Sequence, residues 1–170
     1  YLNKKSSGFG CITDLGIHKC DVIRYMLGEG FTKVAAVAGT RDKRDAAGNF
    51  VDVYDNAACV LETESGVMGT LNLSYSNYGP MENGVYFYCE NGVLRVYNDA
   101  NCALEVMMKN GERASYFSEA NPCSHVVDTF AMAIQNKEFS PVAAEESYEA
   151  MRVVFAIEEA ARTGRFVEIQ

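Results

Sequence analysis

Val85-Tyr86-Phe87-Tyr88-Cys89-Glu90-Asn91-Gly92-Val93-Leu94-Arg95-Val96-Tyr97 is the stretch that decides the fold class. Valine and the aromatics favour a pleated, half-buried backbone. Asn-Gly supplies the left-handed turn conformations that join two such runs. The stretch predicts a hairpin with strands at 85–89 and 93–97. The same grammar repeats on both sides. Leu104–Lys109 and Glu112–Phe117 flank Asn110-Gly111, and Asp55–Thr63 and Val67–Ser76 flank Glu64-Ser65-Gly66. Lys33–Ala38 reads as a further strand, and residues 41–54 as a polar excursion between strands. The middle of the chain is a mostly antiparallel meander.

Helices bracket the meander. Tyr1–Gly10 is polar and glycine-bearing and reads as a loop. A helix follows over about Asp14–Leu27, with Leu15, Val22, Ile23, Met26 and Leu27 at helical spacing on one side. Gly28 stands where a left-handed cap would stop it. Asn121-Pro122 is an N-cap and first-turn pair for a helix to about Asn136, with Val126, Val127, Phe130 and Ile134 as its apolar face. A last helix spans about Glu145–Thr163, with Tyr148, Met151, Phe155 and Ala161 inward and Gly164 as the stop. Phe166–Ile169 closes the chain as a short strand. The expected fold is α+β, an open, mostly antiparallel sheet with helices on one face, and residues 1–170 form a single domain.

The formal net charge is -8, which argues against a nucleic-acid partner, since phosphate backbones select clustered Lys and Arg. It argues equally against an anionic membrane surface. No apolar run approaches the roughly 20 residues of a spanning helix. No signal-peptide pattern opens the chain, so a cytoplasmic location is expected. The start at Tyr1, without Met, reads as a piece of a longer protein. The six cysteines form no CxxC and lie among apolar neighbours, as in Ala58-Cys59-Val60, so reduced core thiols are expected.

The candidate chemistry centres on His18. At about 100° per residue, Asp14, His18, Asp21 and Tyr25 share a stripe roughly 60° wide on one helix. A neutral His can take a proton from a substrate hydroxyl, which oxidation of an alcohol requires. Neighbouring carboxylates favour its charged form and orient its ring. The same spacing also fits a solvated helix edge, with Asp14 stabilised only by the helix dipole. A metal bound by Asp14 and His18 needs a third ligand that the spacing does not demand. His125, in the first turn of its helix with Asp128 three residues on, reads as structural or merely solvated. Gly8-Phe9-Gly10 lacks the third glycine and the preceding strand of a dinucleotide fingerprint, so it reads as a close-approach turn.

Gly8-Phe9-Gly10-Cys11-Ile12-Thr13-Asp14-Leu15-Gly16-Ile17-His18-Lys19-Cys20-Asp21 resembles the Gfo/Idh/MocA oxidoreductase family. That family carries a glycine run and then D-x-G-x-H-x-x-D, which Asp14, Gly16, His18 and Asp21 match in order and spacing. Phe9 replaces the middle glycine. Further resemblances lie at Asp55-Asn56-Ala57-Ala58, at Glu64-Ser65-Gly66-Val67-Met68-Gly69-Thr70, at Glu90-Asn91-Gly92-Val93-Leu94-Arg95-Val96, and from Glu145-Glu146 to Phe166-Val167-Glu168-Ile169.

The resemblance implies a C-terminal domain of the glyceraldehyde-3-phosphate-dehydrogenase-like type, with the nucleotide-binding Rossmann half outside this chain. It implies Asp14 and His18 as the acid/base pair, NAD or NADP as cofactor, and a sugar, polyol or cyclitol as substrate. The catalytic lysine of the family's Glu-Lys-Pro motif belongs to the first domain, and this chain has no Lys-Pro. Lys5 and Asp21 complete the candidate set as substrate-binding residues, with Lys4 and Tyr75 as further contacts. No cofactor-binding or metal-binding residue is expected, and the fragment alone is expected to be inactive. The every-position apolar strand Val85–Cys89 predicts a homodimer or higher oligomer through the sheet face. The alternative is a non-catalytic sugar-binding or oligomerisation module.

Overall fold

The computed structural model describes residues 2–79, 83–99, 102–117, 126–139 and 144–169. They fall into two compact units, Tyr1–Tyr78 with Ala143–Gln170, and Gly79–Val142.

The first unit starts with a short helix α1 (Lys4–Ser7), a π-helical turn (Ile12–Gly16) and helix α2 (Ile17–Leu27). Strands β1 (Phe31–Gly39), β2 (Asn56–Thr63) and β3 (Met68–Ser74) follow. In the second unit come β4 (Val85–Cys89), β5 (Gly92–Asp99), β6 (Cys102–Met108), β7 (Arg113–Phe117) and α3 (Val126–Asn136). The chain returns to the first unit for α4 (Ala144–Thr163) and β8 (Val167–Glu168). The α+β class and the antiparallel pairing are as the sequence predicts. The expected single open sheet, however, is two four-stranded sheets among the described residues, ordered β3-β2-β1-β8 and β4-β5-β6-β7. The polar turn-forming run Ser76-Asn77-Tyr78-Gly79 separates β3 from β4 and continues neither ladder.

In the first sheet the two faces differ. Ala57, Cys59, Leu61 and Thr63 of β2 are buried, while Ala58 and Val60 between them are exposed, a strict period of two. Leu71 and Leu73 of β3 and Val34 of β1 join the buried face. Helix α4 covers it with Ala150, Val153, Val154, Ile157 and Ala160, spaced three and four apart. Cys20 of α2, with Cys11 and Ile12 before it, completes the core. The Arg24 guanidinium reaches the Glu146 carboxylate at 3.1 Å and its carbonyl at 3.2 Å, tying α2 to the start of α4. Gly164 ends α4 in the left-handed region, its N–H returning to the Ala160 carbonyl.

Several sequence expectations need correction. The first segment is not all loop, because Asn3 caps the one-turn α1 through its side chain and the Lys5 N–H. The inward stripe of α4 is not Tyr148, Met151, Phe155 and Ala161. Tyr148 and Phe155 are mostly exposed, and the small residues one step round are the buried ones. Alanine, valine and the single isoleucine Ile157 form the buried stripe, and no aromatic side chain of α4 stands between the helix and the sheet. On α3, Val126, Val127, Phe130 and Ile134 are exposed and Ala133 is buried. The proposed Asn121-Pro122 start and His125 lie outside the described residues. Of the cysteines, Cys11, Cys20 and Cys59 are core thiols, each pushed up to about 12 by burial and therefore protonated and inert. Cys89 is exposed and Cys102 half-buried, against expectation, and Cys123 lies outside the described residues.

The excursion between β1 and β2 is ordered by one carboxylate. Asp55 is fully buried. Its Oδ1 accepts from the Arg41 N–H at 2.8 Å and its Oδ2 from the N–H groups of Asp42 at 2.7 Å and Lys43 at 2.8 Å. The Asn56 side-chain amide donates to Oδ1 at 2.8 Å. Burial alone would raise the Asp55 pKa. The three backbone donors and Asn56 outweigh it and hold the carboxyl below the usual range.

Two outcomes follow for stability. Ile157 has no exposed surface, so Ile157→Ala should cost about 2–5 kcal/mol in urea unfolding. Tyr148→Ala, at a position 65% exposed, should stay within about 0.5 kcal/mol. Equal losses at the two sites would contradict the face assigned to α4. Asp55→Asn should cost about 2–3 kcal/mol at pH 7, because an amide cannot accept all the donors aimed at it. A depressed native pKa contributes stability above the unfolded value of about 3.9 and loses it as pH falls through the lower native value. The gap between wild type and Asp55→Asn should therefore narrow below about pH 4. A pH-independent gap in denaturant midpoints would argue against a charged Asp55.

Candidate active site

Two glycines bring the motif helix against the sheet. Gly10 has φ 64°, and a Cβ there would lie 2.3 Å from the Tyr54 carbonyl oxygen. The next residue, Cys11, donates its N–H to that same carbonyl at 2.9 Å. Gly16 is buried, and a Cβ there would come within 3.1 Å of Leu73 Cδ1. The motif glycine thus lets the start of the helix rest on β3. Thr13 Oγ1 accepts from the Phe9 N–H at 2.7 Å, and Phe9 packs edge-on against Phe155, ring centroids 5.8 Å apart.

Asp14 lies in the π-helical turn rather than in a regular α-helix. Such turns recur at functional sites. A π turn advances by less than 100° per residue, so the four-residue stripe drawn on an ideal helix is broken between Asp14 and His18. Asp14 is half-buried, and its Oδ2 accepts from the Tyr75 hydroxyl at 2.9 Å. His18, Asp21 and Tyr25 all stand exposed on α2. Among the described residues, no hydrogen bond or ion pair joins His18 to Asp14 or Asp21.

Asp14 and Tyr75 line an open cavity of about 380 Å³ together with Leu2 and Lys43. Lys5 is exposed on α1, and neither Lys5, Asp21 nor His18 is among the described residues lining that cavity. The structure brings together Asp14 and Tyr75, which the sequence offered, with Lys43, which it did not. Lys43 sits in the polar excursion, where no periodicity places a side chain. The one available signal was Asp55, an acidic residue at a strand start with nothing to say which donors it would collect.

The Lys43 ammonium donates to the Tyr78 hydroxyl at 2.8 Å and lies 3.2 Å from Asp42 Oδ2. The Tyr78 hydroxyl in turn donates to the same Asp42 carboxylate. Hydrogen bonds from Tyr78 and Lys43 hold the Asp42 carboxyl below its usual range, and Tyr78 and Asp42 raise the lysine against its partial burial.

A dinucleotide needs a glycine turn between a strand and a helix, with backbone N–H groups open to the pyrophosphate. Gly8 and Gly10 follow a helix instead, and the space beside Gly10 is filled by the Tyr54 backbone. These residues do not fit such a cofactor. Among the described residues, no group of three or more His, Cys, Asp or Glu side chains is placed to hold a metal ion. No described helix is long and apolar enough to cross a membrane.

The family described as GFO/IDH/MocA C-terminal domain matches residues 1–95. No curated protein matches the sequence. Solved structures do. Aldose-aldose oxidoreductase from Caulobacter crescentus, complexed with glycerol, is 24% identical with a TM-score of 0.80, covering 98% of this chain and 50% of that one. An NAD binding oxidoreductase from Klebsiella pneumoniae is 21% identical with a TM-score of 0.82, covering 99% and 53%. Levoglucosan dehydrogenase in complex with NADH is 18% identical with a TM-score of 0.86, covering 99% and 52%. The chain spans about half the length of these oxidoreductases, and the likeness to them is one of fold. With the family's match reaching from the first residue through the Asp14–Asp21 motif to β5, the chain belongs to the GFO/IDH/MocA C-terminal domain family.

Proposed function

We propose that the two units together form the C-terminal, substrate-binding and oligomerisation domain of a cytoplasmic, two-domain oxidoreductase. In that reading the enzyme moves a hydride between NAD or NADP and a sugar, polyol or cyclitol. The nucleotide is held by the other half, because the glycine turn of this chain does not fit it. The observation that carries the reading is the placement of Asp14. The first residue of the family motif lines a cavity with its carboxylate fixed by Tyr75.

The chain's own residues then have distinct tasks. Tyr75 donates to one Asp14 oxygen and leaves the other to accept from a substrate hydroxyl. His18, exposed on α2 four residues after Asp14, is the proton acceptor when that hydroxyl is oxidised and the donor in reverse. Asp14 is its partner carboxylate in this reading, acting by holding the substrate hydroxyl. Lys5 and Asp21 are exposed nearby in sequence and contact the outer part of the substrate.

In the full-length protein, His18→Ala should lower kcat by about 10²–10⁴, the range of a general acid/base, with nucleotide affinity unchanged. Asp14→Asn should lose kcat as well. Steady-state NADH formation with a confirmed substrate is the measurement, and wild-type turnover in His18→Ala would remove histidine from the mechanism.

Assembly belongs to the same reading. Val37, Met68 and Val60 carry apolar surface on the face of the first sheet opposite α4, at 73%, 77% and 46% exposure. Tyr88 of the second sheet is 82% exposed. A two-fold pairing of sheets buries such surface most simply. Light scattering at micromolar concentration should give a dimer or larger species, and Val37→Glu with Tyr88→Glu should shift it toward monomer. A monomeric wild-type protein would refute the assembly without bearing on Asp14 and His18.

A further inference from the structure

The cavity carries a cation that the family motif does not account for. Lys43 stands on its wall with Asp14 and Tyr75, although it is 29 residues from Asp14 in sequence. Its place is set twice. The backbone is fixed because the Lys43 N–H donates to buried Asp55 at 2.8 Å. The side chain is fixed because the ammonium donates to Tyr78, lies 4.6 Å above the Tyr78 ring and pairs with Asp42 at 3.2 Å. An ammonium has three N–H donors. Tyr78 and Asp42 take two, and the third remains for an oxygen of whatever enters the cavity.

The charge balance of this wall determines what that oxygen can belong to. Asp42 offsets Lys43 within one contact, and Tyr75 and Leu2 are neutral. Asp14 is therefore the uncompensated charge among the described lining residues, and it is negative. A neutral hydroxyl can accept from Lys43 while a second hydroxyl donates to Asp14. A carboxylate would meet a lysine already paired and an aspartate of like charge. A site with a bare lysine would favour the carboxylate instead.

We propose that Lys43 is a substrate-reading residue of this cavity, and that its pairing with Asp42 makes the site select an uncharged polyhydroxy compound over the matching sugar acid. The inference rests on the oxidoreductase reading for the identity of the ligand as a substrate, and on the cavity alone for its selectivity. Asp55 is a positioning residue in it, acting only through the loop that presents Lys43.

The experiment uses the full-length protein and matched neutral and acid probes: glucose with glucuronate, galactose with galacturonate, and xylitol with xylonate. Binding is read by saturation-transfer NMR and turnover by NADH formation, for wild type, Lys43→Met and Asp42→Asn. Both substitutions are at partly exposed loop positions, and thermal melts report their folding. For the best-used pair, wild type should prefer the neutral member by at least about tenfold, the discrimination that one unfavourable charge contact supplies. Lys43→Met should raise KM for the neutral compound about tenfold with kcat within about threefold, the signature of lost uniform binding. Asp42→Asn frees the lysine charge and should move the neutral-to-acid ratio toward the acid by at least about tenfold.

A wild-type preference for the acid, or a ratio unmoved in Asp42→Asn, overturns the inference. Selective binding without turnover defeats the oxidoreductase reading and leaves the role of Lys43 standing. Turnover with an unmoved ratio does the reverse. Neither binding nor turnover with any pair overturns both.

Discussion

Asp55 holds the first unit together at the point where four segments meet. Its backbone N–H donates to Gly39 at the end of β1, and its carbonyl accepts from Tyr75 just past β3. Its side chain collects three consecutive N–H groups from the excursion that β1 and β2 enclose. A carboxylate without exposed surface is costly unless every lone pair is used. Here the donors are backbone groups that would otherwise have no ladder partner, so the burial of one charge and the ordering of one loop are solved together. Tyr75 and Lys43, two of the cavity's residues, are each within one backbone hydrogen bond of this aspartate.

The other side of the cavity is built by close approach. Gly10 and Gly16 remove the side chains that would keep the Asp14 turn away from Tyr54 and from Leu73. Ala150, Ala156 and Ala160 do the same for α4 above the sheet. The result is a rigid support of small residues and buried thiols beneath a polar wall. The core cysteines contribute packing and no reactivity, because burial holds them as neutral thiols. Asp14, by contrast, keeps an open side, with Tyr75 fixing its orientation from within the fold.

Charge is distributed with the same economy. Lys43, Asp42 and Tyr78 form a closed triangle at the cavity edge. At the far end of the sheet, Glu29 gathers the Thr63 hydroxyl and both the N–H and hydroxyl of Ser65, which pins the β2–β3 turn to the end of α2. In each case an acidic side chain fixes a loop by accepting from it, so the strongly acidic composition includes ordered structural contacts as well as solvated surface.

The sequence by itself determined the elements whose signal is local. Hairpins at Asn91-Gly92 and Asn110-Gly111, the stop at Gly28 and the extent of α4 follow from turn chemistry and propensity, which act within a few residues. The Asp14-x-Gly16-x-His18-x-x-Asp21 motif was likewise legible, and with it the family. The division of the strands into two sheets, the buried stripe of α4 and the π turn under Asp14 were decided by the tertiary structure. Each depends on how near another segment can come, which periodicity does not encode. Lys43 is the clearest instance. Nothing around Asp42-Lys43-Arg44 distinguishes it from an ordinary polar loop, and only the long-range hydrogen bond to Asp55 places it beside Asp14 and Tyr75.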